Sequence, residues 1–286
     1  MKNKSLSFWL FLGPVLISLC VVVLVPLIYG FIFSFTDWTG LKGSNFIGLE
    51  NYVDLFKDKE FLQSIWFTTK FAVVAIILLN VIGLGLALLV TRKLKSSNFL
   101  RTIFFMPNLI GGLILGFIWQ FIFINVFDGV GKLLHMEWLS GWLSTTETGF
   151  WGLIILTVWQ WAGYIMIIYI AYLEGVPQEL IEAAEMDGAN SFQRFRNVTF
   201  PLIRPAFTVC LFLTLSHSFK MYDQNLSLTA GGPFNSTQMV AMEIYKTAFN
   251  ENLMAFAQSK AVIFFIIVAG IGLTQVYFNK KKEVDL

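Results

Sequence analysis

The run of residues 71–90, FAVVAIILLNVIGLGLALLV, decides the fold of this chain. It contains no charged side chain, and Asn80 is its one strongly polar residue. A bilayer core requires about 20 consecutive apolar residues of helix, and this run has that length and composition. A strand of a transmembrane β-barrel would alternate polar and apolar residues over about ten positions, and this run does not alternate. The run therefore predicts a membrane-spanning helix and an all-α integral membrane fold.

Similar runs lie on both sides of it, and together they predict six transmembrane helices at residues 8–36, 71–90, 102–127, 149–173, 203–224 and 259–279. The first run is too long for the apolar region of a signal peptide, which covers about 7–15 residues, so we expect it to be a span. The fifth reaches spanning length only if its helix continues past Lys220 and Asp223. We expect one transmembrane domain over residues 1–286.

Composition supports the membrane assignment. Of the 286 residues, 56% are hydrophobic and 13% are charged, whereas soluble domains have about 25% charged residues. The net charge of +2 gives no indication of nucleic-acid binding. Both cysteines, Cys20 and Cys210, lie in apolar runs, which excludes a disulfide framework and a cysteine metal site.

The distribution of Lys and Arg predicts the orientation, because cytoplasmic loops are enriched in basic residues. With the N-terminus inside, the inner segments contain Lys2, Lys4, Arg92, Lys93, Lys95, Arg101, Arg194, Arg196, Arg204, Lys280, Lys281 and Lys282. The outer loops then contain only Lys42, Lys57, Lys59, Lys132 and Lys246. We therefore expect a multi-pass protein of the bacterial cell (inner) membrane with both termini in the cytoplasm.

The inner loop at residues 176–201, VPQELIEAAEMDGANSFQRFRNVTFP, has the pattern of two short helices joined by a turn. Pro177 suits the first position of a helix, and Gly188 suits the residue after a helix C-terminus. Asn190 or Ser191 can cap the second helix, and Pro201 is predicted to start the next span. On the residues alone, an ordinary amphipathic connector with a solvated acidic face is an equally good interpretation.

Glu182-Ala183-Ala184, Gly188 and Val198-x-Phe200-Pro201 resemble the EAA loop of binding-protein-dependent ABC importers, which usually has Ile and Leu in place of Val198 and Phe200. The resemblance implies a type I ABC importer permease fold whose loop docks on a cytoplasmic ATPase. It implies that ATPase coupling involves Glu182, Ala183, Ala184, Asp187 and Gly188. The implied partners are a second homologous permease subunit, an ATPase dimer and an extracellular or periplasmic sugar-binding protein, with ATP and Mg held by the ATPase and no cofactor bound by this chain.

Three further motifs resemble the carbohydrate branch of that family: FIGLENY at 46–52, RTIFFMP at 101–107, and LTAGGP at 228–233 with Ser236-Thr237 and Ile244-Tyr245 after it. The maltose-type subunit has extra N-terminal spans and a large external domain, and this chain resembles the shorter six-span members. The resemblance implies import of a sugar, an oligosaccharide being the first choice. A polyol or glycerol phosphate would be compatible with the same motifs.

Alignment to the maltose-type subunit implies a substrate pathway lined by Asn108, Gly112, Thr157, Trp161, Tyr164, His217, Ser218 and Met221, with Tyr164 the strongest candidate. The residues themselves add Lys220, Tyr222 and Asp223. Lys220 and Asp223 are three residues apart, so on a continuous fifth helix they can share a face and partly neutralise each other, and with Tyr222 and Asn225 they can face a polar cavity. Snorkelling of Lys220 and Asp223 to the outer interface is an equal alternative. Trp159, Gln160, Trp161 and Tyr164 form an aromatic and amide cluster that suits a sugar ring, or an interfacial aromatic anchor.

Two other classes of protein are less compatible with the sequence. An integral membrane glycosyl transferase would need an acidic or metal-binding cluster, for which only residues 179–187 qualify. A channel or secondary carrier would show inverted repeats or intramembrane carboxylates, and we find neither. Because the chain contains no phosphate-binding glycine loop and only His135 and His217, we expect a non-catalytic transport subunit.

Gly83, Gly112 and Gly116 are expected to allow close helix packing, and Pro107 is expected to kink its helix.

Overall fold

The structure, a computed structural model, describes residues 3–41, 43–92 and 96–281. Five of the charges used to predict orientation, Lys2, Lys42, Lys93, Lys95 and Lys282, lie outside these ranges, as does the side chain of Lys4. The described residues are helical apart from loops and one isolated bridge between Thr36 and Phe46. The all-α fold is therefore confirmed.

The helices used below are labelled in chain order. They are α1 (Phe8–Phe33), α2 (Glu50–Leu55), α3 (Lys59–Val90), α4 (Ser97–Phe105), α5 (Gly112–Leu134), α6 (Thr146–Leu173), α7 (Gln178–Met186), α8 (Ser191–Leu202), α9 (Arg204–Phe219), α10 (Asp223–Leu228), α11 (Val240–Tyr245) and α12 (Met254–Lys280). Among the described residues, five helices are long and apolar enough to cross a membrane, and the bent pair α8 and α9 would make a sixth. The five are α1, α3, α5, α6 and α12.

The third span differs from the predicted range 102–127. Helix α4 ends at Phe105, a 3-10 turn follows at Met106–Leu109, and Ile110 and Gly111 are extended before α5 begins at Gly112. Pro107 causes the break because it has no backbone N–H to donate within a helix. At its far end α5 continues past Asp128 and Lys132, which form an ion pair of 2.6 Å one turn apart.

The fifth span also differs from the predicted range 203–224. Pro201 lies in α8, not at the start of the spanning helix, and α8 meets α9 at an angle of 72°. Pro205 lacks the N–H that would bond to the carbonyl of Pro201, four residues earlier, so the helix breaks there. Helix α9 then ends at Phe219 and not beyond Asp223, which instead begins the separate helix α10.

The chain packs as two units, Met1–Leu62 with Glu243–Ile266, and Gln63–Met242 with Ile267–Leu286. In the second unit α6 is the most buried span, since 61% of the residues in its most apolar 18-residue stretch are buried within the protein. Its Tyr169 hydroxyl donates to Asn80 of α3 at 2.8 Å, and the Asn80 amide donates to Thr214 of α9 at 3.1 Å. This buried network satisfies its polar groups where no water is available.

Glycines permit the closest helix contacts of the second unit. A side chain at Gly83 would meet Ile165, and one at Gly163 would meet the backbone of Phe104. Gly116 lies against Ser227, and Gly112 lies against Gln224. The predicted packing role of Gly83, Gly112 and Gly116 is confirmed.

The first unit contains α1, α2, the first residues of α3, the end of α11 and the beginning of α12. In the most apolar 18-residue stretch of α1, no residue is buried within the protein. The loop after α1 is held to α2, because the Asn51 amide donates to the carbonyls of Ser34 and Thr36, both at 2.9 Å. The Tyr52 hydroxyl lies 2.6 Å from the Ser34 hydroxyl. The expectation of one domain over residues 1–286 stays a prediction.

Candidate translocation site and coupling loop

The end of α9 opens a cavity of about 440 Å³ in the second unit. The residues that line it are Gly112, Trp161, Leu213, Ser216, His217, Lys220, Met221, Tyr222, Asp223 and Gln224. Trp161 lies fifteen residues into the 28-residue helix α6, about 22 Å from its start at a rise of about 1.5 Å per residue. The cavity is therefore at mid-depth of a membrane-spanning helix, where polar side chains are costly and mark functional sites.

One wall of the cavity is aromatic. The Trp161 and His217 rings stack with centroids 3.7 Å apart and planes 24° from parallel. Tyr164 packs edge-on against Trp161 with a centroid separation of 5.4 Å. Trp161 therefore has one face supported by His217, an arrangement that holds the indole in a fixed orientation.

Polar atoms beside that wall have no hydrogen-bond partner within the described part of the chain. They are the Nε2 atom of His217 and the Oγ atom of Ser218, both buried. Buried polar groups without a partner cost about 1–3 kcal/mol each. Their presence next to a cavity is an arrangement that a ligand or water could complete.

A chain of amides forms a second wall. The Gln224 Nε2 donates to the Gln160 Oε1 at 3.0 Å, and the Gln160 Nε2 donates to the Ile110 carbonyl at 3.0 Å. The break after α4 exposes that carbonyl, so Pro107 acts on the site through Ile110. Gln224, Ser216 and Leu213 were not predicted to line the cavity, and the position of Gln224 depends on where α9 ends.

Seven predicted substrate-pathway residues line the cavity: Gly112, Trp161, His217, Lys220, Met221, Tyr222 and Asp223. The other four are adjacent to lining residues or lie in the helix break. Thr157 is buried with its hydroxyl 3.9 Å from the Met221 sulfur, Tyr164 contacts Trp161, Ser218 follows His217, and Asn108 lies in the 3-10 turn. The structure thus places Trp161, and not Tyr164, on the cavity surface, while the role of all eleven in transport stays a prediction.

Three details of the predicted pocket are wrong. Lys220 and Asp223 form no ion pair in the described structure, because α9 ends between them. Trp159 lies on the opposite side of α6 from Trp161, 5.6 Å from Trp119, since residues two apart on a helix do not share a face. Asn225 is buried outside the cavity, where its amide donates to the Thr237 carbonyl at 2.9 Å and holds the 228–233 loop.

The coupling loop has the predicted helix-turn-helix form. Helix α7 begins after Pro177, which is its N-cap, and not at Pro177 as predicted. Gly188 has a φ of 79°, the left-handed conformation that a glycine adopts at low cost after a helix. Asn190 caps α8 with a reciprocal pair of hydrogen bonds to Gln193. An ion pair between Glu185 and Arg194 joins the two helices.

The face of α7 is open to solvent in this chain. Glu182, Ala183, Asp187 and Gly188 are exposed, and Ala184 is half-buried. The neighbouring Met186 side chain is 88% exposed. Methionine is enriched in protein–protein contacts relative to the rest of a protein surface, so the exposed Met186 side chain suits such a contact.

A charged cluster in the first unit was not predicted. The Lys260 side chain is 1% exposed, and its Nζ lies 2.7 Å from a carboxylate oxygen of both Asp58 and Glu243. It also donates to the Thr247 hydroxyl at 2.8 Å. Burial is the largest single influence on the pKa of Asp58 and acts to raise it, but the hydrogen bond and charge of Lys260 and the backbone N–H groups of Phe61 and Glu60 together lower the pKa below its usual value. Lys260 directly precedes the charge-free run 261–279, so its burial was not evident from the sequence.

Comparison with known proteins identifies the family. The chain belongs to the binding-protein-dependent transport system inner membrane component family, which it matches over residues 80–283. It is therefore a multi-pass membrane permease subunit that works with a binding protein, and it is not an enzyme. The resemblance based on the EAA loop is confirmed.

Its relatives include sugar permeases. The chain is 60% identical over 284 residues to the probable starch degradation products transport system permease protein AmyD of Thermoanaerobacterium thermosulfurigenes, covering 99% of this chain and 97% of that one. It is 33% identical over 278 residues to the multiple sugar-binding transport system permease protein MsmF of Streptococcus mutans, covering 96% of each. A solved bacterial ABC transporter that imports alginate has the same fold, with a TM-score of 0.84 at 19% identity and coverage of 98% and 96%.

Proposed function

We propose that this chain forms half of the translocation pathway of an ABC importer for a sugar, with an oligosaccharide as the first choice. The observation that supports it best is the mid-depth cavity with Trp161 on one wall and amide, hydroxyl and charged groups on the others. An aromatic face packs against the apolar face of a sugar ring, and polar side chains meet its hydroxyl groups. The names of the relatives AmyD and MsmF are in keeping with this substrate class.

The remaining parts of the importer are proposed as partners. A second homologous permease would complete the pathway, and a cytoplasmic ATPase dimer would bind ATP and Mg. The exposed face of α7, with Glu182 and Met186, is the proposed contact with that ATPase. The excess of Lys and Arg in the segments assigned as inner supports an orientation with both termini in the cytoplasm.

An anionic cargo such as glycerol phosphate is a second candidate for one reason. The Lys220 side chain lines the cavity and makes no ion pair with any described residue. An unpaired ammonium in a cavity favours a negatively charged ligand. Uptake of glycerol phosphate in preference to neutral oligosaccharides, lost in Lys220→Gln, would support this alternative.

The test of the sugar pathway compares two tryptophans of the same helix. In the reconstituted importer with its binding protein, Trp161→Ala is expected to lower sugar uptake about tenfold or more, as the loss of a buried aromatic contact does. Trp159→Ala, on the opposite side of α6, is expected to change uptake by less than about twofold. Equal effects of the two substitutions, with both complexes intact, would contradict the proposed pathway.

A further inference from the structure

Two cavities that both reach Trp151 lie along α3 and α6 in the second unit, and together they make one groove. Its upper part, about 550 Å³ in volume, is lined by Trp66 and Lys70 of α3 and by Glu147 and Trp151 of α6, among others. Its lower part, about 470 Å³, is bounded by the same two helices and by Phe104 of α4, and it shares Trp151. The lining below Trp151 is almost wholly apolar and includes Leu78, Ile82 and Val158.

The level of the polar part follows from the length of the helix below it. Lys70 directly precedes the apolar run 71–90, which is about 30 Å long as a helix and matches the hydrocarbon core. Trp66 lies one turn further out, and Trp151 lies near the start of α6. Tryptophan is enriched at membrane interfaces. The polar part of the groove is thus at headgroup level, and the apolar part lies beside the lipid chains.

The two charges in the polar part do not neutralise each other. The Lys70 Nζ lies 4.8 Å from the centroid of the Phe150 ring, and neither Lys70 nor Glu147 makes an ion pair with a described residue. Phe150 follows Glu147 by three residues, about 4.5 Å along α6, so Lys70 lies beside the helix turn that follows Glu147. In a zwitterionic phospholipid the phosphate is deeper than the ammonium.

We propose that this groove holds a zwitterionic phospholipid of the outer leaflet, with its phosphate on Lys70, its ammonium beside Glu147 and an acyl chain along Leu78 and Ile82. The proposal rests on the proposed orientation, which puts the start of both helices outside. The opposite charges of Lys70 and Glu147 at headgroup level match the phosphate and ammonium of such a lipid, and the apolar lower half of the groove matches its acyl chain.

Native mass spectrometry of the detergent-solubilised importer tests the proposal. The complete complex is incubated with equal amounts of phosphatidylethanolamine and phosphatidylglycerol, and the retained lipids are counted. The wild type is expected to retain phosphatidylethanolamine in preference to phosphatidylglycerol. The charge exchange Lys70→Glu with Glu147→Lys keeps the net charge but reverses the order of the charges, and it is expected to lower that retention about tenfold.

The matched control is the exchange Lys132→Glu with Asp128→Lys, which reverses an exposed ion pair of α5 and is expected to leave retention unchanged. Equal retention of the two lipids by the wild type, or undiminished retention in the Lys70 and Glu147 exchange, would overturn the proposal. So would efficient cross-linking of an Ile82→Cys variant to the second permease subunit, because a protein helix would then fill the groove. Sugar-stimulated ATP hydrolysis by the same wild-type preparation tests the proposed function separately, since the lipid readout does not depend on sugar.

Discussion

At the scale of the residue, the buried ammonium of Lys260 is expected to contribute strongly to the stability of the first unit. Its ammonium is shared by Asp58 and Glu243, and the Phe61 and Phe256 rings lie 5.6 and 4.8 Å from it. An ion pair in such a position is stable only while all partners are present. The cluster joins the beginning of α12 to α11 and to the residue before α3, all within the first unit.

Lys260→Met is therefore expected to destabilise the protein by about 3–5 kcal/mol, because Asp58 and the buried Glu243 lose their counter-charge. The measurement is the thermal unfolding of the purified importer, in which size-exclusion chromatography records the fraction of folded complex that remains after heating. Lys246→Met is the matched control, since Lys246 pairs with Glu60 at 2.7 Å in a more exposed position. Exposed pairs contribute about 1 kcal/mol or less, so a control loss as large as that of Lys260→Met would contradict the interpretation.

Asp58 gives the same cluster a pH dependence. Its pKa is lowered in the folded protein, because Lys260 and two backbone N–H groups together outweigh the opposing effect of burial. A lowered pKa contributes stability above the unfolded value, which is about 3.9, and that contribution is lost as pH falls through the folded value. We expect the unfolding temperature of the wild type to fall more steeply below about pH 4 than that of Asp58→Asn. Parallel pH profiles for the two proteins would show that Asp58 does not stabilise the fold in this way.

At the scale of the element, α7 is a short helix that the rest of the chain leaves largely uncovered. Its N-cap is Pro177, its last turn is closed by Gly188, and its position is held by the ion pair between Glu185 and Arg194. The Arg101 guanidinium also donates to Glu174 at 2.6 Å, which joins α4 to the end of α6 just before the loop. A motion of α7 can therefore reach the spans through contacts on both sides of the loop.

Glu182→Ala is expected to uncouple the importer, because Glu182 is exposed on the face of α7 proposed to contact the ATPase. Sugar uptake per ATP hydrolysed should fall about fivefold or more, within the range for loss of a charged contact, while the amount of assembled complex stays constant. Glu137→Ala, an exposed acidic residue in the 137–139 turn, serves as the control. Unchanged coupling in Glu182→Ala would show that α7 makes its contact through other residues.

At the scale of the whole molecule, the proposed orientation puts the coupling loop and the 228–237 loop on opposite sides of the membrane. Met186 is 88% and Phe234 is 100% exposed, so cysteines at these positions can be labelled without unfolding. In a background with Cys20→Ala and Cys210→Ala, a membrane-impermeant maleimide is expected to label Phe234→Cys in intact cells. Met186→Cys should react only after the membrane is opened, and the reverse pattern would overturn the orientation.

The pocket illustrates the limit of prediction from sequence for the molecule as a whole. Residue types suited to a sugar were recognisable in α6 and α9, and seven of the predicted positions line one cavity. The prediction favoured Tyr164 over Trp161 because Tyr164 lies near mid-span, and it paired Lys220 with Asp223 because a continuous fifth helix was assumed. The end of α9 at Phe219 depends on how α10 packs against Gly112 and Gly116, and that contact is between segments distant in sequence.

The sequence by itself determined the all-α membrane fold, the family and the form of the coupling loop. Each of these depends on local properties: the length of apolar runs, the capping residues and the backbone freedom of Gly188. Only the tertiary structure decided which side chains share a cavity, where α5 and α9 begin and end, and that Lys260 is buried between two carboxylates. These features depend on the free energy of contacts between segments that are distant in sequence, and local sequence patterns do not reveal that free energy.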